Sequence, residues 1–105
     1  MHVTVSHKKT RAQAMKTAES IVNEVFDGLS QLPMQVVGSR KSWVGPVMEF
    51  GLIAKLAFLS YPVHGTLEVT DSQFILDLEL GWIGKFLSEA KAKESIEKRV
   101  RGLLS

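Results

Sequence analysis

The groups in this chain whose type and spacing bear on chemistry are three histidines, a set of strand carboxylates, a few clustered cations and aromatic residues near strand ends. The imidazoles are His2, His7 and His64. His2 and His7 fall in one short extended segment at odd spacing, so they point to opposite faces. Neither H-x-H nor H-x-x-x-H occurs. No metal centre is expected from that pattern, and the absence of cysteine removes thiolate sites and disulfides. No cofactor motif is present, and three partly exposed histidines are the simpler account.

If Asp71-Ser72 is a two-residue turn, His64 falls opposite Glu79 on a polar sheet face. Lys55, Thr66 and Asp77 would then share a row there, with Glu68 one step away. A His–Glu pair suits general acid–base work. The simpler account is a solvated cross-strand pair worth ~0.2–1 kcal/mol. No serine or cysteine sits in a nucleophile elbow, so no catalytic residue is assigned. Gly81-Trp82-Ile83-Gly84-Lys85 follows a strand but matches neither the P-loop nor the dinucleotide fingerprint. Its glycines are expected to release the chain from sheet to helix. Lys8, Lys9, Arg11 and Lys16 cluster at a helix start, and Arg40-Lys41-Ser42-Trp43 sets two cations beside an indole. Stacking plus phosphate contact needs such residues. An exposed hairpin tip explains them as well, and a formal charge of only +2 argues against a nucleic-acid partner. Trp43, Phe50, Phe58, Tyr61, Trp82 and Phe86 are the candidate ligand-binding residues. Several of them sit where strands end and burial is least assured, so they either close the core or meet an apolar partner.

The elements that position these groups follow from periodicity. Met1 to His7 reads as a short strand with Val3 and Val5 on one face. Thr10 and Gln13 form a capping box. Ala14, Ala18, Ile21, Val22, Val25, Phe26 and Leu29 then recur at helical spacing. Gly28 as a left-handed cap and Pro33 are expected to end that helix. From Met48 to Phe58 the even positions are apolar, from Val63 to Val69 the odd ones, and from Phe74 to Leu80 the even ones again. Parity then predicts two hairpins. One pairs Thr70 with Gln73, Val69 with Phe74, Leu67 with Leu76 and Val63 with Leu80. The other, with Leu59 to Pro62 as a four-residue loop, pairs Phe58 with Val63, Ala54 with Leu67 and Leu52 with Val69.

Val36-Val37 looks like strand, with a turn near Ser39 to Ser42 and a bulge or edge position at Gly45-Pro46. Trp82, Ile83, Phe86 and Leu87 form an apolar cluster before a final helix that Ser88 begins. There Ala92, Ile96, Val100 and Leu103 make the inward stripe. Glu89–Lys93, Glu94–Lys98 and Glu97–Arg101 are i,i+4 pairs on its outer face, each worth ~0.2–0.5 kcal/mol.

The fold expected is therefore α+β. An antiparallel sheet lies between, and packs against, two amphipathic helices in the order β-α-β-β-β-β-α, as one domain over residues 1–105. The 105 residues are 45% hydrophobic and 23% charged, ordinary values for a chain that folds without staples. No run of ~18 apolar residues spans a membrane, and no signal peptide is read at the start, so the cytoplasm is the expected location. Small residues on the helices (Ala14, Ala18 and Ala92) leave two outcomes over the apolar sheet face. Either the core is dry and full, or a gap remains that would take an acyl chain.

Several segments carry a family resemblance. They are Met1 to His7 with Thr10, Ser42-Trp43 opening a strand, Gly65-Thr66-Leu67-Glu68-Val69-Thr70-Asp71, Asp77-Leu78 before Gly81, and Ile96 to Leu104. Together they resemble bacterial polyhydroxyalkanoic acid system proteins, the polyhydroxyalkanoate granule-region proteins. The resemblance covers nearly the whole chain and supplies no catalytic residue. It implies an association with polyhydroxyalkanoate storage in the cytoplasm or at storage granules. The element order is also similar to a reduced helix-grip, START-like architecture, an analogy of fold alone. The resulting expectation is a non-enzymatic accessory protein that meets an apolar small molecule, an acyl chain or a polyester granule surface. A small enzyme acting on a hydroxyacyl-type substrate and a nucleic-acid-binding regulator are the alternatives.

Overall fold

Among the described residues, strand alternation and helical periodicity resolve into seven elements. The structure is a computed structural model that describes residues 1–30, 35–56, 58–79 and 89–104. The strands are β1 (His2–Ser6), β2 (Gln35–Val44), β3 (Val47–Leu56), β4 (Leu59–Val69) and β5 (Gln73–Glu79), and the helices are α1 (Arg11–Ser30) and α2 (Glu89–Leu104). All strand pairs are antiparallel, in the order β1-β5-β4-β3-β2. One face buries Val3, Val5, Met48, Phe50, Leu52, Ala54, Val63, Leu67, Val69, Phe74, Leu76 and Leu78. The other exposes Glu49, Lys55, His64, Glu68, Asp77 and Glu79. That is the period-2 pattern of a sheet covered on one side.

The β4–β5 hairpin has the expected register. Val69 pairs with Phe74 and Leu67 with Leu76, and the Thr70 N–H donates to the Gln73 carbonyl at 2.9 Å. The Leu80 partner expected for Val63 lies outside the described residues. The β3–β4 hairpin differs from its expected register while keeping its parity. Leu56 pairs with Leu59, Ala54 with Tyr61 and Leu52 with Val63. The connection is therefore the two residues 57–58, not a loop over 59–62, and Pro62 stands inside β4 opposite Ile53. β3 accordingly ends at Leu56, and Phe58 occupies the turn at 88% exposure instead of the inward face.

β2 also departs from expectation. Ser39 to Ser42 are strand residues, and the reversal is the two-residue turn Gly45-Pro46 between Val44 and Val47. Gly45 has φ +60 and is followed by proline, the pattern of a II′ hairpin. A bulge between Val37 and Ser39 places Gly38 at φ +66 as the extra residue. The bulge switches the inward set of β2 from Val36 to Lys41 and Trp43.

At the start of α1 the capping box is made reciprocally. The Gln13 N–H donates to Thr10 Oγ1, and the Thr10 N–H donates to Gln13 Oε1, both at 3.3 Å. Gly28 is not a cap. The helix runs on to Ser30, and Gly28 has no positive φ. Ala14, Ala18, Ile21, Val22 and Val25 are buried, and α1 packs on β4 and β2.

α2 packs on α1 and β1, with Arg99 Nη1 bonded to Glu24 Oε2 at 3.0 Å. Both helices therefore cover the same face, so the sheet is not sandwiched between them. Ile96 and Val100 are buried, whereas Leu103 is 36% exposed and Leu104 takes its place against the core. Of the outer-face pairs, Glu97–Arg101 closes at 3.6 Å. Trp82, Ile83, Phe86, Leu87 and Ser88 lie outside the described residues.

The centre of the core is an aromatic laid over a glycine. Phe50 faces Gly65 across β3 and β4. A Cβ added at Gly65 would fall about 2.6 Å from Phe50 Cε2. The same ring meets Phe26 of α1 edge-on at 5.8 Å, a favoured aromatic geometry.

Two predictions follow from this packing. Gly65→Ala should cost ~1–3 kcal/mol by overpacking, read from urea midpoints, and an unchanged midpoint would refute the close approach. Ile96→Ala should cost ~2–5 kcal/mol through lost burial and a cavity, while Lys98→Ala should stay within ~0.5 kcal/mol. Equal losses would mean that the buried stripe of α2 has been misplaced.

Candidate functional site

The aromatic candidates divide into core and surface. Trp43 is half-buried on the inward side of β2, and its indole N–H donates to Glu19 Oε1 of α1 at 2.9 Å. Lys41, also inward, reaches the same glutamate at 3.2 Å and Asn23 Oδ1 at 2.9 Å. Together these bonds lower the Glu19 pKa below the usual carboxylate range, the Trp43 bond most and the Lys41 contacts next. Trp43 and Lys41 thus fasten the β2 edge to α1. Phe50 is 4% exposed and belongs to the core. Tyr61 is half-buried against the core, opposite Ala54.

Among the described members of the set Phe58 is the exposed one, and its neighbour Leu59 is 45% exposed. Trp43 pairs with Met48, near the other end of β3. Six strand residues, about 20 Å at ~3.3 Å each, separate that pair from Tyr61 and Ala54. The described aromatics do not converge on one pocket. Trp82 and Phe86 lie outside the described residues.

The polar candidates are only partly brought together. His64 stands opposite Glu79, and Thr66 opposite Asp77, as expected. Lys55 pairs with Ser60 instead of joining that row, and Glu49 takes the place opposite Thr66. His2 Nδ1 bonds Asp77 Oδ1 at 2.5 Å.

His7 is not partly exposed but 8% exposed. Its Nδ1 accepts from the Lys9 N–H at 3.1 Å, which puts the ring proton on Nε2, facing the Thr70 carbonyl at 2.8 Å. The ring lies 4.6 Å from that of Phe74. This histidine clamps the β1–α1 connection to the β4–β5 turn. Among the described residues no group of three His, Asp or Glu is placed to hold a metal.

The basic patches also separate. Arg40 lies on the outer face and Lys41 on the inner one, within a strand and not at a hairpin tip. No described helix is long and apolar enough to cross a membrane.

Two surface features escaped sequence reasoning. One is the exposed pair Phe58 and Leu59 at the β3–β4 turn, hidden because alternation extended through Phe58. The other is a cleft of about 380 Å³ on the outer face, lined by Arg40, Gly51, Ile53, Pro62 and His64 among others. A glycine inside a strand pattern was its available signal.

Over residues 1–104 the chain matches the family described as "Putative polyhydroxyalkanoic acid system protein". The chain belongs to this family. No curated protein and no solved structure matches it. Membership in the polyhydroxyalkanoic acid system family extends from β1 through α2, so every feature above lies inside the shared region. The family name points to an accessory of that system and specifies no reaction.

The Glu19 cluster sets a pH dependence. A carboxyl whose folded pKa is depressed stabilises the fold above its unfolded pKa, and that contribution is lost as pH falls through the folded value. Glu19 is 45% exposed, so solvent screening keeps the effect below about 1 kcal/mol. The stability gap between the native chain and Glu19→Gln should be present at about pH 7 and narrow progressively as pH falls below the ordinary glutamate range. A gap in urea midpoint that does not change with pH would contradict the assignment.

Proposed function

We propose that the protein is a non-enzymatic accessory of polyhydroxyalkanoate storage in the cytoplasm, and that it rests on the polyester granule surface through the β3–β4 turn. The observation that carries this reading is the 88% exposure of Phe58 beside a 45% exposed Leu59, in a chain that belongs to the polyhydroxyalkanoic acid system family. A phenylalanine left in water gains ~1.5–3 kcal/mol when buried, and a polyester surface would accept it. Tyr61, half-buried two residues on, holds the hairpin base to the core. Lys55 and Ser60 place a polar rung just behind the tip. This surface route takes precedence over an internal acyl site of the helix-grip kind, because Phe50 and Phe26 already meet between β3 and α1.

The test is co-sedimentation with purified granules. The native chain should pellet with them, and Phe58→Ser combined with Leu59→Ser should reduce the bound fraction about tenfold, the effect of ~1.4 kcal/mol. Both substitutions lie on exposed side chains, so circular dichroism should show an intact fold. A native chain that stays in the supernatant, or a folded double variant that pellets equally, would overturn the proposal.

A further inference from the structure

The outer face of the sheet is polar along most of its length, but it is not flat. Along one cross-strand row stand Arg40 of β2, Gly51 of β3, His64 of β4 and Glu79 of β5. Gly51 leaves a gap in that row. A Cβ placed there would lie 3.5 Å from Arg40 Nε and 3.5 Å from His64 Nδ1. Two nitrogen-bearing side chains thus lean over the same missing side chain. Among the described residues the Arg40 side chain makes no ion pair or hydrogen bond. The adjoining rung on this face is apolar, with Ile53, 46% exposed, opposite Pro62. On the β2 side the Gly38 bulge keeps the space open, since a Cβ there would meet nothing.

The resulting cleft of about 380 Å³ is lined by the Arg40 guanidinium and the His64 imidazole together with Gly51, Ile53 and Pro62 among others. A second cleft of about 400 Å³ shares both and adds Lys41, which is held by Glu19, with Ser42, Thr66 and Glu49 among others. Both volumes suit a small molecule.

We propose that this cleft binds a small amphipathic carboxylate. The carboxylate lies between Arg40 and His64, and a short alkyl chain covers Ile53 and Pro62. A guanidinium presents a planar fork that matches a carboxylate. Imidazole can donate a hydrogen bond in its neutral form as well as its charged one. A hydroxyl on the acid would be within the second cleft, where Ser42 and Thr66 offer partners, so a hydroxy acid is preferred to the plain alkanoic acid. Glu49 and Glu79 flank Arg40 and His64 on the same face and disfavour a more highly charged anion such as phosphate. None of these residues belongs to the β3–β4 turn, so the inference stands apart from granule docking.

Amide NMR on the full chain tests it. The probes are 3-hydroxybutyrate, butyrate, the methyl ester of 3-hydroxybutyrate and inorganic phosphate. Expected are saturable shifts centred on Arg40, Gly51, Ile53 and His64, with a dissociation constant of ~1–10 mM for the hydroxy acid. Butyrate should bind more weakly, and the uncharged ester and phosphate at least tenfold more weakly. Arg40→Gln should weaken binding about tenfold. Gly51→Leu should abolish it by filling the gap. Gly51 has no positive φ and only ordinary contact distances around its Cβ. Gly51→Ala is therefore the folded control, narrowing the cleft with less effect. Absence of saturable shifts, equal affinity for the ester or for phosphate, or unchanged affinity in a folded Arg40→Gln variant would each overturn the proposal.

Discussion

The Phe50 ring over Gly65 is the contact on which the rest of the structure depends. Only a residue without a side chain lets an aromatic lie across the neighbouring strand at that distance. The contact ties β3 to β4 at one pair, Phe50 with Gly65, and so favours one register over the others that share its parity. From that pair the hairpin ends at 57–58, Pro62 falls inside β4, and Phe58 is carried out into solvent. On its other side the ring meets Phe26 edge-on, which sets the height of α1 above the sheet. Ala14 and Ala18, both fully buried, allow the helix to sit that low.

Because α1 and α2 share one face, the two sides of the sheet serve different ends. The inner side is a continuous apolar layer closed at the β2 edge by Trp43, Lys41 and Glu19, and near the β1 end by the His7 clamp. The outer side carries Glu49, His64, Glu68 and Glu79 exposed among the described residues. Residues there are free to be selected for what they contact in solution. Hence the sheet rows that matter for ligands contain Arg40, Gly51 and His64, while those that matter for stability contain Met48, Leu67 and Leu76.

The difference between legible and illegible features follows from the physics of each signal. Alternation reports which face a residue takes, and it did so for Met48 through Ala54, Val63 through Val69 and Phe74 through Leu78. Alternation is blind to sliding by an even number of residues, so it left the β3–β4 register open, and Pro62 read as turn chemistry. In β2 the alternation is itself broken. Val36 and Trp43 both face inward although seven positions apart, which only the bulge at Gly38 permits. Short-range signals with a closed geometry fared well. The Thr10–Gln13 box formed as read, and so did the tight turn at Asp71-Ser72. In the candidate site, Phe58 was named for its ring but placed on the wrong surface. Arg40 was grouped with Lys41 as a hairpin tip, whereas both lie in a strand, where sequence neighbours point to opposite sides.

The bulge at Gly38 also governs how copies of this chain behave when crowded together. β2 is a ten-residue border of the sheet, and a straight border of that length is a template on which another chain can lay a strand. Gly38 bends it near its start, and Arg40 and Lys41 put adjacent positive charges at its middle. Two such borders brought edge to edge would meet along a kinked line, each carrying Arg40 on its outer face. The same irregularity that turns Trp43 toward the core therefore guards against fibre-like stacking wherever the protein accumulates at high local concentration.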